Sequence, residues 1–261
     1  MRIRSVKLES ILATVIFAGA ILSAPFVACV AAVPAFAQDD TAAAVQSRLS
    51  KKQFQNVKVA VNDGVATLTG TVDLYQYKAD AQKNAIRTKG VKAVKNLIEV
   101  AGKNVSDAEL TKKLMGQLTY DRVNQGNVFD AITVDVRNGV VTLGGHAHNY
   151  VNRNSAVAIV KSTPGVKDLV DNIRVDPTSQ MDDRTRLAVA NAIYGFSTLN
   201  KYAIDPAKPI RISVQNGNVE LYGVVDSKAD KDTAYIRANG VSGVFSVKNY
   251  LQVAGQPAER Q

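Results

Sequence analysis

Apolar and polar residues alternate along two short runs separated by a turn, and this arrangement occurs three times in the chain. Such a period of two predicts half-buried antiparallel strands. The turns contain Asp63–Gly64, Asn138–Gly139 and Asn216–Gly217, dipeptides typical of tight hairpins that need positive φ. The apolar positions before the three turns are Val57, Val59 and Val61; Ile132, Val134 and Val136; Ile210, Ile212 and Val214.

Three glycines recur in each copy with spacings of 6 and 20 residues. A repeat of this length predicts an array of small domains. The first glycine belongs to the hairpin turn, the second allows close backbone approach on the buried face, and the third is predicted to cap a helix. These structural glycines are Gly64, Gly70 and Gly90; Gly139, Gly145 and Gly165; Gly217, Gly223 and Gly243.

Amphipathic patterns predict two helices in each copy. The first helices are predicted at 40–50, 106–119 and 182–195. In the first copy the second helix is predicted to begin near an N-cap at Asp73 and to end near Lys89. A short apolar strand follows each third glycine.

The predicted fold class is therefore α+β, with three tandem small domains. Each has the order α-β-β-α-β, with a three-stranded sheet and two helices. We refer to them as the first unit (38–100), the second unit (104–175) and the third unit (179–253).

The first 37 residues have the pattern of a secretory signal peptide. A basic start and an apolar run precede Ala35–Phe36–Ala37, which predicts cleavage between Ala37 and Gln38. A retained membrane anchor is the alternative, because the apolar run is long. The residues before Cys29 match a lipoprotein acylation site poorly. Export to the periplasm is expected.

Cleavage would remove Cys29, the single cysteine, and leave 224 residues with a net charge of +7. Disulfides, a thiolate nucleophile and cysteine-ligated zinc are then excluded. A phosphate loop, a serine elbow and a spaced carboxylate pair are also missing from the sequence, so we expect no catalytic site and no cofactor. Asp182 and Asp183 are interpreted as residues that cap a helix.

His146 and His148 are two residues apart on a predicted strand and would share a face that could hold a metal. No third ligand is evident, so a solvated strand end is favoured and no metal site is predicted. Nucleic acid is not expected as a partner, because the protein is exported and its basic runs lack interleaved aromatic residues.

The order of elements, the hairpin dipeptides and the closing strand together resemble the BON domain, the bacterial OsmY and nodulation domain. In the closing strand this pattern includes Gly90, Val94 and Asn96 in the first unit and Gly243, Val247 and Asn249 in the third. In the second unit the asparagine, Asn172, is one place later, so its closing strand is expected to be shifted.

The resemblance implies a non-enzymatic envelope protein of the osmotically induced periplasmic type. BON domains are thought to bind phospholipid surfaces, and some relatives act in outer-membrane maintenance or as periplasmic chaperones. The expected partner is an anionic phospholipid membrane surface, with other envelope proteins as further candidates. A protein-interaction or chaperone-like module is the alternative function.

Charge selects the first unit as the expected lipid contact. It has 10 basic and 6 acidic residues from 39 to 100, which is +4 of the total +7. Near an anionic membrane each surface cation contributes about 1 kcal/mol. Phe54, Tyr75 and Tyr77 are aromatic residues that could enter the interface, although Tyr77 could instead belong to the core. The predicted lipid-contact residues are Lys51, Lys52, Lys83, Arg87, Lys92 and Lys95.

Overall fold

Three α+β units follow one another in the computed structural model, which describes residues 36–121, 127–205 and 208–256. The predicted signal peptide lies outside these residues except for its last two, which begin the first helix. Within the described ranges, no helix has the length and apolarity that a bilayer crossing requires. The fold class predicted from the sequence is confirmed.

Each unit has a central strand that pairs with its hairpin partner on one side and with the closing segment on the other. The hairpin pair is antiparallel, whereas the closing segment runs parallel to the central strand. The first unit consists of α1 (Phe36–Arg48), a 3-10 helix (Lys52–Phe54), β1 (Val57–Asn62), β2 (Val65–Val72), α2 (Tyr75–Ile86), β3 (Ala93–Asn96) and β4 (Glu99–Val100).

The other two units repeat this order with small differences. The second unit consists of α3 (Asp107–Tyr120), a 3-10 helix (Asn127–Phe129), β5 (Ala131–Arg137), β6 (Val140–Ala147), α4 (Tyr150–Ser162), β7 (Asp168–Asp171) and β8 (Arg174–Val175). The third consists of α5 (Gln180–Tyr194), α6 (Lys201–Ile204), β9 (Arg211–Gln215), β10 (Asn218–Tyr222), β11 (Val224–Val225), α7 (Lys228–Asn239), β12 (Ser246–Asn249) and β13 (Gln252–Val253). The described strands of different units do not pair with one another.

Alternating burial along the central strands places the helices on one face of each sheet. Ala66 and Leu68 of β2 are fully buried, and Leu68 belongs to one core with Ala81 and Ala85 of α2. Lys83 and Arg87 are consequently on the exposed side of this helix, as the sequence predicted.

The hairpin turns have positive φ at both central residues, for example 54° at Asn138 and 78° at Gly139. This is the backbone of a type I′ turn, as the dipeptides predicted. In the second unit the carboxylate of Asp107 accepts hydrogen bonds from the backbone N–H groups of Asn138 and Gly139, at 2.7 and 2.9 Å. Asp182 holds the turn at Gly217 in the same way. The N-cap of α5 is Ser179, which accepts from the backbone N–H of Asp182, so the interpretation of Asp182 as a helix cap is wrong.

Two predictions about the helix ends are wrong. The second helix of the first unit begins after Leu74, which makes no side-chain cap, so Asp73 is not the N-cap. The third glycine of each unit lies beyond the helix end, in a β-turn closed in the first unit by the Val91 N–H and the Thr88 carbonyl. Gly90 has a φ of 91° at the third position of this turn, a conformation that favours glycine.

The closing strand of the second unit is not shifted. Leu68 pairs with Asn96, Leu143 with Asp171 and Leu221 with Asn249, so Asp171 occupies the asparagine position and Asn172 follows it. Asp171 accepts a hydrogen bond from the backbone N–H of Ile173, as Asn96 does from Ile98. A carboxylate oxygen accepts this hydrogen bond just as an amide oxygen does. The residue pattern alone therefore did not reveal that Asp171 takes the place of the asparagine.

The second glycine of each unit admits no side chain. A Cβ on Gly145, which has a φ of 81°, would lie 1.9 Å from the carbonyl oxygen of Ala131. We expect Gly145→Ala to lower the free energy of unfolding by at least about 1 kcal/mol, because the residue must keep a left-handed backbone and displace a neighbouring strand. Urea unfolding measures this effect.

Gly116→Ala is the matched control. Gly116 is helical, and a Cβ there would meet no atom within 4 Å, so this change should stabilise the protein by about 0.5–1 kcal/mol. Equal effects of the two substitutions would contradict the close approach at Gly145.

Candidate functional site

Three of the predicted lipid-contact residues lie around one shallow cavity of about 210 Å³ on the first unit. Lys51 follows α1, whereas Lys83 and Arg87 come from the exposed side of α2 and its C-terminal end. Asp80 and Asn84 also line this cavity, so the patch is cationic with a single carboxylate among its lining residues. Lys52 is next to it, at the start of the 3-10 helix.

The other two predicted cations lie apart from this cavity. The Lys92 side chain lies over the hairpin turn, where its Cγ and Cδ would be 3.1 Å from a Cβ on Gly64. Lys95 is an exposed residue of β3, paired with Thr67. The six predicted residues therefore do not form one site. We define the basic patch as Lys51, Lys52, Lys83 and Arg87.

The aromatic residues predicted to enter a membrane have other roles. Phe54 is only 1% exposed and belongs to the core of the first unit, so the prediction that it inserts is wrong. Tyr77 packs against the same core. Tyr75 packs against the core of the second unit, and Lys78 of the same helix forms an ion pair with Asp168 at 3.8 Å. Tyr75 therefore connects the first two units.

The junction between the second and third units contains a buried group of polar residues that the sequence analysis missed. Arg186 of α5 is 1% exposed and donates from Nη2 to Asp176 at 3.3 Å and to the carbonyl oxygen of Val214 at 2.9 Å. Its Nη1 donates to Asp183. A buried cation of this kind needs such partners, because an unpaired charge in the interior is very costly.

Asp176 connects the two units through several hydrogen bonds. It accepts one from Gln215 Nε2 at 2.8 Å and is 3.5 Å from Nδ1 of His146. Burial acts to raise the pKa of Asp176, but hydrogen bonds from His146 and Gln215, with the charge of Arg186, outweigh it and hold the pKa below its usual value. The ionised form of Asp176 is therefore the one that the junction stabilises.

His146 is buried at this junction, so the prediction of a solvated strand end is wrong. Its Nε2 is 2.8 Å from Arg174 Nη2, and its ring lies against that of Tyr222, with 6.3 Å between the centroids. His148 faces a different neighbour, Phe129, at 5.8 Å. The two histidines thus have separate surroundings, and the described residues include no group of three possible metal ligands.

Asp130 is a second buried carboxylate beside the junction. Its two oxygens accept hydrogen bonds from the His148 backbone N–H and from Asn152 Nδ2, both at 2.8 Å. Arg211 of the third unit donates to the Asp130 carbonyl oxygen at 2.9 Å. Burial is the largest influence on this carboxyl group and raises the pKa of Asp130 to about 6.

Comparison with known families identifies the repeated unit. The BON domain matches residues 37–102, 106–177 and 197–255, which is most of the chain. The third match begins after α5, although Val189 and Ile193 of that helix are buried in the core of the third unit.

Two curated proteins are similar to this chain. Osmotically-inducible protein Y of Escherichia coli K12 is 28% identical over 153 residues, which is 58% of this chain and 74% of that protein. An uncharacterized protein in the gshII 5′ region of Anaplasma centrale is 28% identical over 148 residues, or 51% of this chain and 93% of that one.

Among solved structures, the chain is similar to CdsD, a structural protein of the type III secretion system of Chlamydia trachomatis. The identity is 17%, and the similarity covers 84% of this chain and 94% of CdsD with a TM-score of 0.25. A TM-score this low carries no argument about function.

The raised pKa of Asp130 predicts how stability depends on pH. Between about pH 4 and pH 6 the unfolded chain loses this proton, whereas the folded chain keeps it. The contribution of Asp130 to the free energy of unfolding therefore falls as pH rises through this window, by up to about 3 kcal/mol. The free energy of unfolding of Asp130→Asn, measured by urea unfolding relative to the unmodified protein, should therefore rise by about 1–3 kcal/mol between pH 4 and pH 7.

Asp135→Asn is the control for this measurement. Asp135 is a solvent-exposed carboxylate on β5, the strand that begins directly after Asp130, and it forms an ion pair with Arg137 at 2.9 Å. The difference in free energy of unfolding between Asp135→Asn and the unmodified protein should change by less than about 1 kcal/mol over the same pH range. A pH-independent difference for Asp130→Asn would show that burial at the junction does not hold this proton.

Proposed function

The chain belongs to the BON domain family, and from this we propose that it is an exported, non-catalytic envelope protein that binds anionic phospholipid surfaces and supports tolerance of osmotic stress. The stress role is supported by the similarity to a protein named osmotically inducible. Export to the periplasm, with cleavage after Ala37, is supported by the basic, apolar and small-residue pattern of residues 1–37.

The basic patch is the observation that carries the lipid-binding proposal. Lys83 and Arg87 are one helical turn apart on the exposed side of α2, and Lys51 reaches the same cavity from the end of α1. Exposed cations grouped in this way attract anionic headgroups with about 1 kcal/mol each, and salt screens this attraction within about 10 Å. Binding of this kind is reversible and needs no inserted side chain.

The patch is specific to the first unit. At the positions of Lys83 and Arg87, counted from the hairpin glycine, the second unit has Ala158 and Ser162. The third unit has Ile236 and Gly240 at these positions. The repeated fold therefore carries different residues at these two positions, and the two cations one helical turn apart belong to the first unit.

A protein-interaction function is the second candidate, and the surface of the third unit favours it. Phe245 is 82% exposed and stands where the other units have Lys92 and Lys167. Ile204 and Ile236 are also exposed. Large exposed apolar side chains are typical of protein-binding surfaces when they form a patch.

Sedimentation with liposomes tests the lipid-binding proposal. Changing Lys83 and Arg87 together to Gln should weaken binding to anionic vesicles by about 2 kcal/mol, or roughly 30-fold, with little effect on folding. Binding by the unmodified protein should weaken as salt rises and should be much lower for neutral vesicles.

The matched control removes the same charge from the second unit. Lys112 and Lys113 are exposed on α3, and changing both to Gln should reduce binding by much less. Equal losses for the two double variants would move the contact away from the basic patch. If the unmodified protein bound no vesicles, the protein-interaction function would replace this one.

A further inference from the structure

The phenylalanine that ends the 3-10 helix has different surroundings in the first and second units. Phe54 and Phe129 each lie ten residues before the hairpin glycine of their unit, at the end of a 3-10 helix. Phe54 is buried in the core of its own unit, whereas Phe129 packs against the core of the third unit. Arg186 lies over the Phe129 ring, 5.9 Å from its centroid.

The strand beside Phe129 shows the consequence. Val57 of the first unit and Ile210 of the third are buried, whereas Ile132, at the equivalent register position, is half-buried. The third unit covers its strand with Leu199 and Tyr202, both members of its core. The described residues of the second unit leave the corresponding surface facing a cavity.

This cavity lies between the second and third units and has a volume of about 580 Å³. Such a volume falls within the range of about 300–1,000 Å³ typical of small-molecule sites. Its apolar wall is formed by both units: Met115, Leu118, Ile132, Val134, Pro209 and Val224. Met115 and Val224 are 55% and 44% exposed, an exposure that a ligand in the cavity would reduce.

Two cations of the third unit, Lys208 and Arg211, line the same cavity. The carboxylates of Asp121 and Asp130 line it as well. Both oxygens of Asp130 and Oδ1 of Asp121 already accept hydrogen bonds from within the second unit. Burial lowers the pKa of Arg211 by more than the charges of Asp130 and Tyr194 raise it, so part of the cost of burying this cation remains. An anion beside Arg211 would offset that cost.

We propose that this cavity binds an anionic amphiphile with one aliphatic chain, its chain against the apolar wall and its head group at Lys208 and Arg211. A fatty acid and a lysophospholipid share this chemistry. The site is separate from the basic patch and takes single molecules, so it stands whether or not the first unit binds membranes.

Isothermal titration calorimetry with monomeric dodecanoate tests the site on the purified protein. We expect saturable binding at a single site, at least about tenfold tighter than binding of dodecyltrimethylammonium, whose head group is cationic. A parallel titration with lauroyl lysophosphatidylglycerol shows whether the site binds the lysophospholipid or the fatty acid with the higher affinity. Absence of saturable binding by both anionic amphiphiles overturns the proposal.

Met115→Trp fills the cavity from the helix side and should weaken dodecanoate binding by at least about tenfold. Met181→Trp is the matched control, because Met181 is also an exposed methionine within a helix but is not among the residues that line the cavity. Lys208→Gln should weaken dodecanoate binding several-fold. Equal affinities for the Met115 and Met181 variants overturn the assignment to this cavity.

Photocrosslinking of the unmodified protein gives a test that does not depend on how a variant folds. A diazirine-bearing fatty acid should label peptides containing Met115 or Ile132, and excess dodecanoate should suppress the labelling. The Lys83→Gln, Arg87→Gln double variant should be labelled equally. Labelling confined to the first unit overturns the proposal.

Discussion

The carboxylate of Asp176 is the group on which the arrangement of the second and third units depends. The backbone N–H of Asp176 extends the strand pairing of the second unit by donating to the carbonyl oxygen of Ala147 at 2.9 Å. The Asp176 side chain accepts hydrogen bonds from Arg186 and Gln215 of the third unit. A buried carboxylate is tolerated only with such partners. Because they come from both α5 and β9, the third unit is fixed in orientation as well as in position.

This fixed junction determines what the neighbouring residues can do. Phe129 reaches the core of the third unit because the strand β9 lies beside its 3-10 helix. Ile132 of the second unit lines the cavity on one side, and Pro209 and Val224 of the third unit form its opposite wall. The basic patch, in contrast, is built from two segments of one unit and depends on no junction.

The features that the sequence predicted are those determined by residues close together in the chain. Asn138–Gly139 specifies its turn through positive φ, and the alternation around Leu143 specifies which face of the strand is buried. The same reasoning placed Lys83 and Arg87 on the exposed side of a helix. Whether a membrane contacts them is not determined by such local patterns.

Apart from the helix ends near Asp73 and Gly90, most of the predictions that were wrong concerned residues whose surroundings come from distant parts of the chain. Phe54 and Phe129 occupy equivalent places in two repeats, yet the packing of neighbouring units gives them different cores. His146 is on the outward face of its strand, but the third unit covers that face. Asp171 can replace asparagine because this position must accept a hydrogen bond from the backbone N–H of Ile173. Arg153 forms an ion pair with the Asp171 carboxylate at 2.6 Å.

Two aromatic residues that pack against the core of the following unit give the array a direction. Tyr75 passes from the first unit to the second, and Phe129 passes from the second to the third. Each copy therefore supplies part of the interior of the copy that follows it. Loss of the last copy by deletion would expose an aromatic ring, and loss of the first would uncover the surface that Tyr75 occupies. Genetic shortening or reshuffling of such repeats therefore requires compensating substitutions at both new boundaries.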